Sequence, residues 1–182
     1  RDESRTQMLL VKLLRNRGRG REGIEILEKA VKKEPGNPRL RTELAAQIAA
    51  SGAGEIEWGH IEDLLQNGSN VTAENRYFYA LLLASRGDLD QRKEAIQILR
   101  KIGRGATEYR LDAQRLQAMT MMDVALSTEG VAEEEKRKLL AESRSIFTDL
   151  LDREPVALID MTRFCNFLIQ VNEEGDQEIL QE

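Results

Sequence analysis

Few residues in this chain of 182 are of types that do chemistry, and their spacing limits what they could do. The one histidine, His60, lies between Glu57 and Glu62, and helical spacing puts Glu57 and His60 on one side. Proton transfer or metal binding there needs further ligands or a nucleophile, and the plainer reading is a surface or partly buried histidine. Cys165 is the one cysteine and cannot close a disulfide within the chain. Together with His60 it makes two of the three or four ligands a zinc site requires. Flanked by Phe164 and Phe167, it reads as a core residue. Arg15, Arg17, Arg19 and Arg21 alternate across a glycine-rich turn. Guanidinium forks could grip phosphate or carboxylate there, or simply keep a loop soluble. No aromatics interleave, so stacking on bases has little support. Asn67-Gly68-Ser69 and Asn70-Val71-Thr72 fit the glycosylation sequon, a triplet that asparagine-rich turns readily supply. Met119, Met121 and Met122 read as adaptable core packing rather than a cofactor box. The sequence holds no phosphate-cradling glycine motif, Gly-x-Ser-x-Gly elbow or His-Glu-x-x-His, so neither metal, cofactor nor catalysis is expected.

The elements that must position these residues follow from composition and pattern. Hydrophobic content of 41% is enough to bury a core, which excludes a disordered chain. The longest apolar stretch, around Phe78 to Ala84, falls far short of the ~18 residues a membrane-spanning helix needs. Length fits about one domain, so residues 1–182 are read as a single one. Because it opens on Arg1 rather than Met, the chain reads as a piece of a longer protein. Targeting signals are then silent, the compartment stays unknown, and a single thiol is compatible with a reducing one such as the cytoplasm. The net charge of −5 hides four blocks. Residues 1–41 sum to +6, 42–75 to −6, 76–115 to +4 and 116–182 to −9. A net acidic chain is a poor general binder of nucleic acid, and blocks of this size mark either partner-binding faces or solvated helices.

Apolar spacing favours helix throughout, and no period-two alternation supports a sheet. Met8, Leu9, Leu10, Leu13 and Leu14 make the first stripe, stopped at Arg17-Gly18-Arg19-Gly20. The second helix runs from about Glu22 to Lys33 and ends at Glu34-Pro35-Gly36. Asn37 caps a third, with Pro38 in its first turn, which stops at Ser51-Gly52. Further helices are predicted at about 55–66, 73–86, 92–102, 107–128, 132–152 and 156–171, with an acidic tail at 173–182 that could begin one more. Thr72 and Asn75 offer caps for the helix at 73.

Helix pairs parted by short breaks invite a test for repeats. Gly23, Leu27, Ala30 and Pro35 fall at the offsets of the second helix of a tetratricopeptide repeat (TPR), which this segment resembles. Leu44, Ala45, Ile48 and Gly52 match the first-helix half, as do Tyr79, Ala80, Leu83 and Gly87 in part. Ala95, Leu99 and Ile102 follow after about three extra residues in the turn, Asp90 to Arg92, and Ser143, Phe147, Leu150 and Pro155 repeat the second-half pattern. Gly23 stands where alanine is usual, the helix at 55–66 fits no clean register, and the fourth pair is overlong. The resemblance implies an all-α, right-handed α-solenoid of antiparallel helix pairs, with about four and a half degenerate repeats. Stacking order would then put His60 and Cys165 two to three repeat steps apart, on the order of 20–30 Å, too far to cooperate.

What the resemblance implies for function is a protein–protein interaction module without catalysis, holding a partner segment in the concave face built by the first helix of each pair. The groove positions carry over as Arg5, Met8, Lys12, Arg15 and Asn16 from the first pair, and Arg39, Thr42, Ala46 and Ala49 from the second. The third supplies Glu74, Tyr77, Leu81 and Ala84. This groove would be basic at one end and small and apolar in the middle, which suits an extended peptide with an acidic end. Some TPR domains clamp a chaperone's C-terminal carboxylate; here Lys12 falls where that clamp prefers Asn, and Arg39 and Thr42 do not complete it. Two alternatives stay open. One is a structural segment that self-associates, through the apolar C-terminal helix, or stacks on further repeats. The other is an RNA-binding helical repeat favoured by the basic first block.

Overall fold

A computed structural model describes residues 2–51, 55–67, 71–126, 130–153 and 155–171. Every regular element among them is helical. In chain order these are α1 (Asp2–Asn16), α2 (Gly20–Lys33), α3 (Pro38–Ala50), α4 (Glu55–Glu62), α5 (Ala73–Arg86), α6 (Leu89–Arg104), α7 (Arg110–Leu126), α8 (Glu133–Leu151) and α9 (Leu158–Val171). They fall into two compact units, Arg1–Leu82 and Leu83–Glu182, with the boundary inside α5.

Local chemistry sets the breaks. Gly18, at φ 72°, takes the left-handed turn that ends α1, a conformation that costs glycine little. The side chain of Asn37 accepts hydrogen bonds from the backbone N–H groups of Arg39 (3.2 Å) and Leu40 (3.4 Å), while Pro38 occupies the first helical position. Asp88 and Gln91 form a reciprocal capping box, Gln91 N donating to Asp88 Oδ1 (2.9 Å) and Asp88 N to Gln91 Oε1 (3.0 Å). That box starts α6 at Leu89, so Asp90 to Arg92 are its first turn and not the insertion expected between α5 and α6. The turn there is Gly87-Asp88 alone. The poor register expected around residues 55–66 also has a cause. After Glu62 the helix widens into a π turn over Asp63–Asn67, which departs from the regular 3.6-residue period, while Ile61, Leu64 and Leu65, spaced i, i+3 and i+4, are buried.

In the first unit α1 packs on α2, α2 on α3 and α3 on α4, and α1 also touches α3. The residues of the repeat pattern are its core. Leu27, Ala30, Leu44, Ala45 and Ile48 are at most 4% exposed. A methyl group added at Gly23 would lie 3.3 Å from Val11 Cγ1, the close approach of paired helices that the pattern's small residue permits.

The second unit runs α6, α7, α8, α9, each packed on the next. Ala95, Leu99, Ser143, Phe147 and Leu150 are buried as their pattern positions require. Two ion pairs join α6 to α8, Lys93 Nζ to Glu135 Oε1 at 2.9 Å and Arg100 Nη2 to Glu142 Oε2 at 2.7 Å. Both partners advance together along their helices, so α6 and α8 run in the same direction while α7 packs against each. This is the alternation of helix pairs the repeat demands. Met121 and Met122 are buried and Met119 packs beside them, as core residues. Phe147, Phe164 and Phe167 cluster with ring centroids 5.6–6.3 Å apart. Cys165 is not in that core. It is exposed, because Phe164, Phe167 and Leu168 take the inward side of α9 and Cys165 falls on the opposite one.

Candidate functional site

The first helices of successive pairs, α1, α3 and the start of α5, carry the predicted groove. A buried asparagine ties two of them together. Asn75, fully buried, donates from Nδ2 to Thr42 Oγ1 (3.0 Å) and to the Pro38 carbonyl (3.1 Å), and its Oδ1 accepts from Arg41 Nη2 (3.3 Å). The same residue completes the cap of α5, its Oδ1 accepting from Thr72 N and its own N–H donating to Thr72 Oγ1. Asn75 reads from sequence as a cap; its reach to α3 is the part that local sequence does not show. Since α1 also touches α3, these helices lie side by side.

On that surface Lys12, Arg15, Asn16 and Arg39 are exposed. Among the described residues Lys12, Arg15 and Arg39 enter no ion pair, whereas Arg19 is held by Glu22 three residues on, which raises the Arg19 pKa and lowers that of Glu22. Met8, Thr42, Ala46, Glu74, Tyr77 and Leu81 are half-buried and Ala49 is buried. Ala84 belongs to the second unit, and the side chain of Arg5 lies outside the described residues.

The remaining candidates stand apart. His60 is exposed near the end of α4. No group of three or more His, Cys, Asp or Glu among the described residues could hold a metal ion. Asn67 is exposed and donates to Asp63 Oδ1 at 3.1 Å, while Gly52, residues 68–70 and the tail at 173–182 lie outside the described residues.

Residues 4–46, covering α1, α2 and most of α3, match the family model described as tetratricopeptide repeat. Over that stretch the chain resembles a TPR. No curated protein and no solved structure matches it significantly. TPRs are in general non-catalytic interaction modules, and the repeat marks this chain as one that engages other proteins. No helix among the described residues is long and apolar enough to cross a membrane.

The second unit holds a polar link the sequence reading missed. Arg115 on α7 grips Asp160 on α9 through two parallel bonds, Nε to Oδ1 at 2.6 Å and Nη2 to Oδ2 at 2.7 Å. It has the same place in the TPR-like scheme as the link in the first unit. In each, an arginine early in one helix reaches the third residue of the helix two further on, Asn75 in α5 and Asp160 in α9. The available signal was that Asp160, which the fold buries, is the one acid of α9.

Proposed function

We propose that the side-by-side helices α1, α3 and α5 form a groove that binds an extended segment of a partner protein, acidic at one end. The observation that carries this reading is the placement of exposed Lys12, Arg15 and Arg39 on neighbouring helices of a TPR-like unit. Unlike Arg19, which Glu22 occupies, these three are available to a carboxylate of a partner. Beyond them Ala46, Tyr77 and Leu81 offer small and apolar surface for the rest of the segment. Neither a cofactor nor a chemical step is part of this reading.

A fluorescent peptide with four glutamates followed by a Leu/Ala segment tests it by anisotropy. Wild-type protein binds, and the double charge reversal Lys12→Glu with Arg15→Glu weakens binding by about tenfold or more, each reversal removing an attraction of ~0.5–1 kcal/mol and adding a repulsion. Rising salt weakens binding to wild type and much less to the variant. Equal affinities for the two proteins, or no binding to wild type, reject the groove.

A further inference from the structure

Between residues 12 and 21 the chain carries five bases, Lys12, Arg15, Arg17, Arg19 and Arg21, and no acid. All five are exposed, and among the described residues Arg19 alone of them enters an ion pair. Its partner is Glu22, the first acid after the run. Two parallel bonds join them, Arg19 Nε to Glu22 Oε1 and Arg19 Nη2 to Glu22 Oε2, each 2.5 Å. That is the paired geometry in which a guanidinium receives any carboxylate, one from another protein included.

The backbone brings this pair to the basic end of the proposed groove. Gly18 N donates to the Arg15 carbonyl (3.0 Å) and Arg19 N to the Leu14 carbonyl (2.9 Å), so the chain folds back over the last turn of α1. Arg19 leaves the turn next to the groove base Arg15, although the repeat gives it no groove position. Glu22 is held there locally, three residues on and in the first turn of α2, where the helix dipole also favours an acid. Yet the two side chains are 54% and 49% exposed, so water competes for the pair and opening it costs little. We infer that Glu22 sets how many partner acids the basic end of the groove reads. Its carboxylate occupies Arg19 and leaves Lys12, Arg15 and Arg39 for the partner. A partner acid engages Arg19 only by displacing Glu22, which its short tether keeps at high effective concentration. Glu22 is then a specificity-determining residue, with Arg19 the base it holds back. The role exists only if α1, α3 and α5 bind an acidic segment, the reading on which it rests.

The same four-glutamate peptide tests it by anisotropy. Glu22→Gln binds about two- to fivefold tighter than wild type, the gain of one exposed charge contact, and its affinity falls more steeply with salt. Removing an acid near the basic end also raises affinity through general charge, so the comparison is repeated with Arg19→Ala. In that background a general effect leaves the gain from Glu22→Gln unchanged, whereas capture by a freed Arg19 makes it clearly smaller. Glu22→Gln that binds no tighter than wild type overturns the inference, as does an equal gain with and without Arg19. If Lys12→Glu with Arg15→Glu still weakens binding, either result removes the role of Glu22 and leaves the groove standing. A wild type that does not bind removes both.

Discussion

Replacing Asp160 by Ala isolates a strongly buried ion pair. The Asp160 side chain is 3% exposed and that of Arg115 15%, and two short parallel bonds join them. Asp160 raises the pKa of Arg115 against the opposing effect of burial, with Asp112 adding a second bond at 2.9 Å. Truncation leaves the guanidinium mostly buried with the half-exposed Asp112 as its remaining carboxylate. Breaking a buried pair from one side costs about 3–5 kcal/mol, and the surviving Asp112 bond sets this case near the lower end, about 3 kcal/mol. For a unit of this size that is a drop of ~12–24 °C in Tm. Urea unfolding followed by far-UV circular dichroism measures it. Arg115→Met combined with Asp160→Ala removes both charges, and the double variant is expected to recover roughly 2 kcal/mol of the loss, since an apolar replacement of the whole pair is nearly neutral. Lys138→Ala serves as control, its pair with Glu134 being 75% and 81% exposed, and changes stability by less than ~0.5 kcal/mol. If Asp160→Ala costs under ~1 kcal/mol, or the double variant is as unstable as the two single losses added, the pair does not hold α9 to α7.

One substitution gives opposite results at two glycines. Gly23→Ala gains about 0.8 kcal/mol of helix propensity, and Val11 has only to yield slightly to a methyl at 3.3 Å, so thermal melting shows equal or raised stability. At Gly87 the added Cβ would run into the carbonyl oxygen of Leu83, and Gly87→Ala lowers stability by ~1–3 kcal/mol in the same assay. Asp123 is exposed, yet the neighbouring protein partly desolvates its carboxylate and raises its pKa, with Arg92 partly opposing, so its charged form is less favoured folded than unfolded. Stability from this group is then lost as pH rises from the unfolded pKa through the folded one, and Asp123→Asn is expected to stabilise slightly at neutral pH, the effect kept small because the residue is exposed to solvent. That advantage shrinks as the medium is acidified and wild-type Asp123 takes up its proton, which melting at a series of pH values checks.

Helix positions were legible because their determinants are local. Asn37-Pro38 and Gly18 act within a few residues of themselves, and the buried pattern residues recur at helical spacing. Where reading failed, the deciding partner was distant or the geometry irregular. Asp88 with Gln91 moves the start of α6 forward by three residues, a box obscured by the neighbouring Asp90 and Arg92. The π turn at Asp63–Asn67 breaks the 3.6-residue period on which the reading depends. Cys165 was assigned to the core from its aromatic neighbours in sequence, yet Phe164 and Phe167 are three residues apart and share a side of α9 that excludes a residue between them. Groove positions came from the resemblance alone, since nothing in local sequence tells which exposed base faces a partner.

The charge blocks take on meaning once each side chain is followed to its partner. In the second unit the bases Lys93, Arg100 and Arg115 all come from the +4 block, and their acids Glu135, Glu142 and Asp160 all from the −9 block. Those two blocks therefore bind one another within the fold, α6 to α8 and α7 to α9. Block alternation there follows from the repeat, because a helix meets its neighbour of the same kind two helices later in sequence. The first block behaves differently. Arg41 reaches across to Asn75 and Arg19 pairs locally with Glu22, while Lys12, Arg15 and Arg39 have no ion-pair partner among the described residues. Of the acidic block, five acids belong to residues 172–182, outside the described residues. Among the described residues, the long-range ion pairs that align helices run from Lys93 to Asp160, and the bases left without an ion pair on α1 and α3 are Lys12, Arg15 and Arg39. Bases left over in this way are what a groove for an acidic segment requires.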